Sequence, residues 1–234
     1  MYTSLILLCI IIFPIPSLIQ CIKRGLNPYN GVLSASVSAG LGSLLIFIFA
    51  TLSGTSVAAE LEAAYAQAMP MLLQSFPGQE DLLKQSIDIA ISGFPSMVLL
   101  MGVVVAYLEY LILSKFVRNG EKGAWQMARL REFSWPRNGI YGWLLIFVLS
   151  WIAGLTGMPD GDLVMQNVQS IFEAAFALQG TSLLLMFFFM KRVPRGLGPV
   201  LAVFAWILPM GKSILFLLGI ADIMLGLRTR ISQR

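Results

Sequence analysis

Three carboxylates stand inside long apolar runs of this chain: Glu109, Glu173 and Asp222. An ionised carboxylate at the centre of a bilayer costs on the order of 2.5–3.5 kcal/mol, so each of them requires a partner, a wet cavity or a bound proton. Glu109 lies six residues before Lys115, and Asp222 six residues before Arg228. Both are then roughly 9 Å inside the same boundary of their helices, within reach of a basic neighbour or a backbone donor. They read as structural intramembrane acids. Glu173 enters its run from the other end, at a depth comparable to that of Lys212, which is itself stranded between two apolar stretches. These two can pair. With Asn167 and Gln179 they make the candidate solute-lining set, a polar site that would open to the outer face.

Other chemistries lack their residues. The chain contains no histidine, which removes imidazole metal ligation and the activation of a Ser or Cys nucleophile by a His base. Cys9 and Cys21 lie twelve residues apart in one apolar run, too far along a helix to meet, and read as small packing residues. No GxxxxGK[ST] or GxGxxG loop follows a strand, so nucleotide binding and self-powered transport have no signal. Proteolysis by paired aspartates needs two Asp on facing helices, and only Asp222 is inside a span. Neither an enzyme, a metal site nor a cofactor is expected.

The elements that position these residues are membrane helices. Hydrophobic residues make up 57% of the chain and charged residues 12%, against about 25% charged in soluble domains. Mean hydropathy is +0.80. The 234 residues suffice for roughly six or seven spans of about 20 residues, so residues 1–234 are expected to be a single integral membrane domain. The charges sort by sign into alternating loops. Basic residues cluster at Lys23/Arg24, from Lys115 to Arg137, at Lys191/Arg192/Arg195 and at Arg228/Arg230/Arg234, while acidic residues fill the loops between. Cytoplasmic loops hold the excess of Lys and Arg, so this pattern orients the chain. The net charge of +4 reads as topology and contact with anionic headgroups; the lipid bilayer, and not nucleic acid, is the implied partner.

Along the chain, the first span runs from about Ser4 to Cys21. It has no basic n-region and contains Pro14 and Pro16, so it is expected to be retained. The second, about Val32 to Ala50, carries Ala35/Ala39 and Ser36/Gly40 at i,i+4 spacing. Such small-residue pairs let helices approach closely in lipid, either within this chain or as a docking face for another subunit. Residues 51–93 carry five acids against Lys84 alone and show helical spacing on both sides of Phe76-Pro77-Gly78. Two short amphipathic helices on the outer interface fit that pattern, as a lid or as a gate. The third span is about Phe94 to Phe116. The basic segment after it holds Trp125, Phe133 and Trp135 and should lie in the headgroup region. The fourth is about Gly139 to Leu155, and the fifth about Val168 to Met190. The last apolar stretch, Leu197 to Leu227, is too long for one upright helix, at roughly 46 Å. A break at Leu208-Pro209 gives two short helices, about seven spans in all, an outer N-terminus and a cytoplasmic C-terminus. Six spans with one tilted last helix is the alternative.

Three phrases carry a family likeness: Arg131-Glu-Phe-Ser-Trp-Pro136, Phe176-Ala-Leu-Gln-Gly180, and Leu218-Gly-Ile-Ala-Asp222 followed by Arg228. With Phe13-Pro-Ile-Pro16 leading to Gly25, they make the chain resemble the YybS-like family of bacterial membrane proteins, domain of unknown function 2232. The resemblance covers most of the chain and implies an all-α polytopic bundle. Relative to some longer members it starts one helix later, which implies an outer N-terminus. It also implies a distant similarity to the substrate-binding components of energy-coupling-factor vitamin transporters.

Two functions follow as expectations for a multi-pass protein of the bacterial cytoplasmic (inner) membrane. One is a small-solute-binding or uptake component powered by a separate ATPase module that docks on the small-residue second span. The other is a scaffold or assembly protein of the cell envelope or division machinery, with no ligand and with the basic Lys115–Arg137 segment as its contact. A membrane-protein partner or a homo-oligomer is compatible with both.

Overall fold

The computed structural model describes residues 1–116, 130–135, 139–156, 160–194 and 196–232. All its regular elements are helices, as the sequence predicts. The chain divides into two compact units, Met1–Trp125 and Gln126–Arg234, described in turn.

The first unit opens with α1 (Tyr2–Ile12) and α2 (Pro14–Arg24), which together make one apolar stretch of 23 residues. Lys23 and Arg24 occupy the last turn of α2, where cations complement the helix dipole, and Gly25 stops it in the left-handed region at φ 72°. Asn27 then caps α3 (Pro28–Leu52) by accepting the Tyr29 N–H, with Pro28 at the first helical position. The expected pair of short helices is present as α4 (Val57–Ser75) and α5 (Glu80–Ser92), broken at Phe76-Pro77-Gly78. On α5, Lys84 Nζ meets Glu80 at 3.0 Å, and this hydrogen bond pushes the ammonium pKa up from its ordinary value. α6 (Phe94–Phe116) closes the unit.

Two apolar clusters hold these helices together. Ile6, Ile10, Ala50, Val57 and Val98 form one; Leu18, Val32, Ala35, Ala106 and Tyr110 form the other. The small residues of α3 are used inside the unit. Ala39 faces Gly102, where an added Cβ would stand 3.4 Å from the alanine methyl, and a Cβ on Gly40 would press on the Leu99 side chain. Ala35 and Ala39 are fully buried here. The opposite face, with Val37, Leu41, Leu44, Leu45 and Phe49 all more than half exposed, is the one left for lipid.

The second unit contains a 3₁₀ turn (Leu130–Glu132), α7 (Gly139–Leu155), α8 (Gly161–Met190), α9 (Leu197–Ile207), α10 (Pro209–Leu225) and α11 (Leu227–Ser232). The 30-residue α8 is the hub against which α7, α9, α10 and the 3₁₀ turn pack. It begins seven residues before the expected Val168, because Gly161 fits against the Ala153 carbonyl of α7 and Asp162 favours a helix N-terminus. Further along, α8 and α10 cross at two glycines. A Cβ on Gly180 would collide with the Leu215 carbonyl, and one on Gly219 with the Phe176 carbonyl.

The break in the last stretch falls where the sequence predicts, with Leu208 extended at ψ 128° before Pro209 and a bend of 109° between α9 and α10. The two halves have 11 and 17 residues, about 16 and 26 Å, so the first is short of a span and the second is at the lower end of span length. Among the described residues, four helices are long and apolar enough to cross a bilayer, and five if the bent pair counts as one. The expectation of two short helices is met, and these lengths leave the number of crossings between Leu197 and Leu227 open. α7, with 17 residues, is likewise a short apolar helix.

Candidate functional site

In the second unit, the middle of α8 is buried around its circumference and rich in small and polar residues: Ala174, Ala175, Ala177, Gln179, Gly180, Thr181 and Ser182 are all buried. The small side chains admit the backbone of α10 and of residues 133–135, and the polar ones must then find partners in the protein. Gln179 Nε2 donates to Asp222 Oδ2 at 2.6 Å, while its Oε1 accepts the Trp135 N–H at 3.0 Å. The Trp135 indole N–H donates to the Ala175 carbonyl at 3.1 Å.

Asp222 is 5% exposed and is satisfied from three directions. Gly226 ends α10 in the left-handed region at φ 60°, and the chain folds back so that the Arg228 N–H donates to Asp222 Oδ1 at 2.9 Å. The Arg228 guanidinium lies 3.7 Å from Oδ2 and donates to Ser182 Oγ at 2.8 Å. Ser182 in turn donates to the Phe133 carbonyl at 2.6 Å. A buried acid, an amide, a hydroxyl, a guanidinium and an indole thus form one connected network. Removing one partner from such a network leaves the others desolvated and unpaired.

The second polar point is the pair expected between Glu173 and Lys212. Nζ stands 3.4 Å from Glu173 Oε2, and Gln169 Nε2 donates to Oε1 at 3.0 Å. The lysine and glutamate side chains are 40% and 36% exposed, so the pair is reachable from outside the protein. Lys212 lies in the first turn of α10, directly after the break.

The other two candidate solute-lining residues are placed elsewhere. Asn167 is buried and donates to the Leu163 carbonyl of its own helix, and Gln179 belongs to the Asp222 network. Of the four, the structure thus pairs Glu173 with Lys212 and places Gln179 and Asn167 at two other points. Glu109, on α6, has a buried Oε2 with no hydrogen-bond partner among the described residues.

Phe133 is 5% exposed and its ring packs edge to face against that of Trp135, with the segment held on α8. The reason is hydrogen bonding, since residues 133–135 supply a carbonyl and two N–H groups that Ser182, Gln179 and Ala175 complete. Trp125 lies outside the described residues. Ser182 and Thr181 are absent from the sequence-derived candidates. The signal for Ser182 is its i,i+3 spacing from Gln179, which puts both on one helix face.

Comparison with known proteins agrees with the motifs this network joins. The chain is 19% identical over 215 residues to the protein recorded as "Uncharacterized protein YybS" of Bacillus subtilis (strain 168), an alignment covering 88% of this chain and 69% of that relative. No solved structure matches. Residues 1–223, which contain all three phrases except Arg228, match the family described as "Predicted membrane protein (DUF2232)". The chain belongs to that family.

Proposed function

We propose that the protein is a small-solute-binding or uptake component of the bacterial cytoplasmic membrane, without catalysis of its own, which recognises its solute at the Glu173–Lys212 pair. One observation carries the reading: a half-exposed ion pair joins α8 to the first turn of α10, beside a 109° break in an apolar helix pair. Discontinuous helices put unpaired backbone and polar side chains at membrane depth, where transporters hold their substrates. Ionisable residues inside a membrane commonly mark solute pathways. The recognition point is narrower than the four residues weighed from sequence, since Asn167 and Gln179 are occupied elsewhere. The Asp222 network then has a supporting part, holding α10 against α8 so that Lys212 faces Glu173.

The test is purification of the full chain in mild detergent followed by native mass spectrometry. The reading predicts a small molecule retained by the wild type and lost from Glu173→Gln and Lys212→Met, with unchanged elution profiles. A wild-type protein that carries no small molecule, or variants that retain it equally, would count against it. The scaffold reading draws on a different observation, the hydrogen bonds that link Gln179, Ser182, Asp222 and Arg228 across α8 and the end of α10, which suit a unit built for rigidity. Under that reading the same preparation carries a stoichiometric protein partner and no small molecule.

A further inference from the structure

A groove of about 360 Å³ opens between the Leu130–Glu132 turn and the α8–α9 connection, within the second unit and apart from Glu173 and Asp222. Its walls are apolar: Leu185, Phe188, Val193, Pro194 and Pro199, with Arg131 as the charged lining residue. The volume is at the small end of the range for ligand sites, about 300–1,000 Å³.

The cations around it are held in place. The central carbon of the Arg131 guanidinium lies over the Phe189 ring, 3.6 Å from its centroid, and Lys191 Nζ stands 5.8 Å over Phe187. Stacking of this kind fixes a guanidinium by its face and leaves the N–H groups along its edge free to donate. The one acid close by is Glu132, at 3.7 Å from Arg131 Nε, and among the described residues no hydrogen bond engages the Arg131 side chain. Arg131 is the charged residue of the lining, and Lys191 and Arg192 directly precede the lining residue Val193 in the chain, so the basic residues here outnumber Glu132.

The end of α8 contributes a further sign. Val193 N–H donates to the Phe188 carbonyl and Arg192 N–H to the Phe189 carbonyl, with Arg192 left-handed at φ 56°. Glycine is the usual residue at that position of the motif. Here an exposed arginine takes it, beside the groove.

We infer that this groove holds one anionic phospholipid, its phosphate against the edge of Arg131 and part of an acyl chain along Phe188, Val193 and Pro199. Charge complementarity selects the occupant: an apolar trough in a membrane protein receives a lipid chain, and a cationic mouth selects a lipid whose headgroup is negative. Basic pockets beside membrane helices bind such headgroups, each basic residue near the surface favouring the anionic lipid about five-fold. The inference is independent of any solute at Glu173.

The full chain, purified in mild detergent and stripped of lipid, is titrated with phosphatidylglycerol or phosphatidylcholine, and the adducts are counted by native mass spectrometry. Wild type should bind phosphatidylglycerol at least about five-fold better. Arg131→Gln should cut the preference about five-fold, Arg131→Lys should keep part of what Arg131→Gln loses, and Val193→Trp should weaken both lipids by filling the trough. Elution profiles report whether each variant is folded; if Arg131→Gln is not, Arg131→Lys and Val193→Trp still decide. Equal binding of the two lipids by the wild type, or an unchanged preference in the Arg131 variants, overturns the inference. So does displacement of the lipid by millimolar inorganic phosphate, which would mark a site for a soluble phosphate.

Discussion

At the scale of single residues, two acids of similar depth are held in opposite ways, and the difference can be measured. Asp222 receives a backbone N–H, an amide and a nearby guanidinium, so Asp222→Ala strands Gln179 and Arg228 together. Breaking a buried pair from one side costs about 3–5 kcal/mol, and a clear drop in the thermal unfolding temperature in detergent is expected. Adding Arg228→Met to that variant should recover part of the loss, because the uncompensated guanidinium is then gone. Glu109 has a buried oxygen with no hydrogen-bond partner among the described residues, so Glu109→Gln removes a desolvated charge and should leave the unfolding temperature unchanged or raise it. A fall as large as that of Asp222→Ala would contradict the contrast. The sequence made both acids visible, because a carboxylate in an apolar run is conspicuous. The six-residue spacing from Asp222 to Arg228 also pointed to its partner. What spacing could not reveal was that Gln179 joins Asp222 and leaves Glu173, since that depends on the rotation of α8 about its axis and on residues 133–135 folding onto it.

At the scale of elements, the crossing of α8 and α10 rests on Gly180 and Gly219, where any Cβ meets the carbonyl of the opposite helix. Gly180→Ala or Gly219→Ala should push the helices apart and weaken the Asp222 network with them. A loss of thermal stability comparable to that of Asp222→Ala is expected, and a variant that melts like the wild type would refute the close approach. The end of α8 gives a prediction of the other sign. Arg192 is left-handed at φ 56°, a conformation that costs a non-glycine residue roughly 1–2 kcal/mol, so Arg192→Gly should raise the unfolding temperature while lowering retention of phosphatidylglycerol. Helix boundaries were largely legible. α6 and α7 coincide with the spans read from hydropathy, and the break before Pro209 follows from proline's restriction of the preceding residue. The start of α8 was not, because Asp162, Gln166 and Asn167 interrupt the hydropathic signal of the first seven residues, which are helical with Gly161 fitted against α7.

At the scale of the whole molecule, we propose from the alternation of acidic and basic loops that the helices α4 and α5 lie on the outer side. A cysteine placed at Asp81, on exposed α5, should react with a membrane-impermeant maleimide in intact cells; protection there, together with reaction at Asn119, would invert the arrangement. Helix lengths left the number of crossings open, because the 109° bend turns one long apolar run into two short pieces. The proposed function depends on the Glu173–Lys212 pair being wet and open to the outside. Only a hydrated thiol ionises and reacts readily, so a thiol facing lipid is silent. With the two buried native cysteines replaced, Cys9→Ala and Cys21→Ala, a single Glu173→Cys probe in intact cells tests that requirement most directly. The account predicts modification by the impermeant maleimide from outside, slowed by the small-molecule fraction released from the wild-type protein. No modification from outside, or modification only in inside-out vesicles, would contradict it.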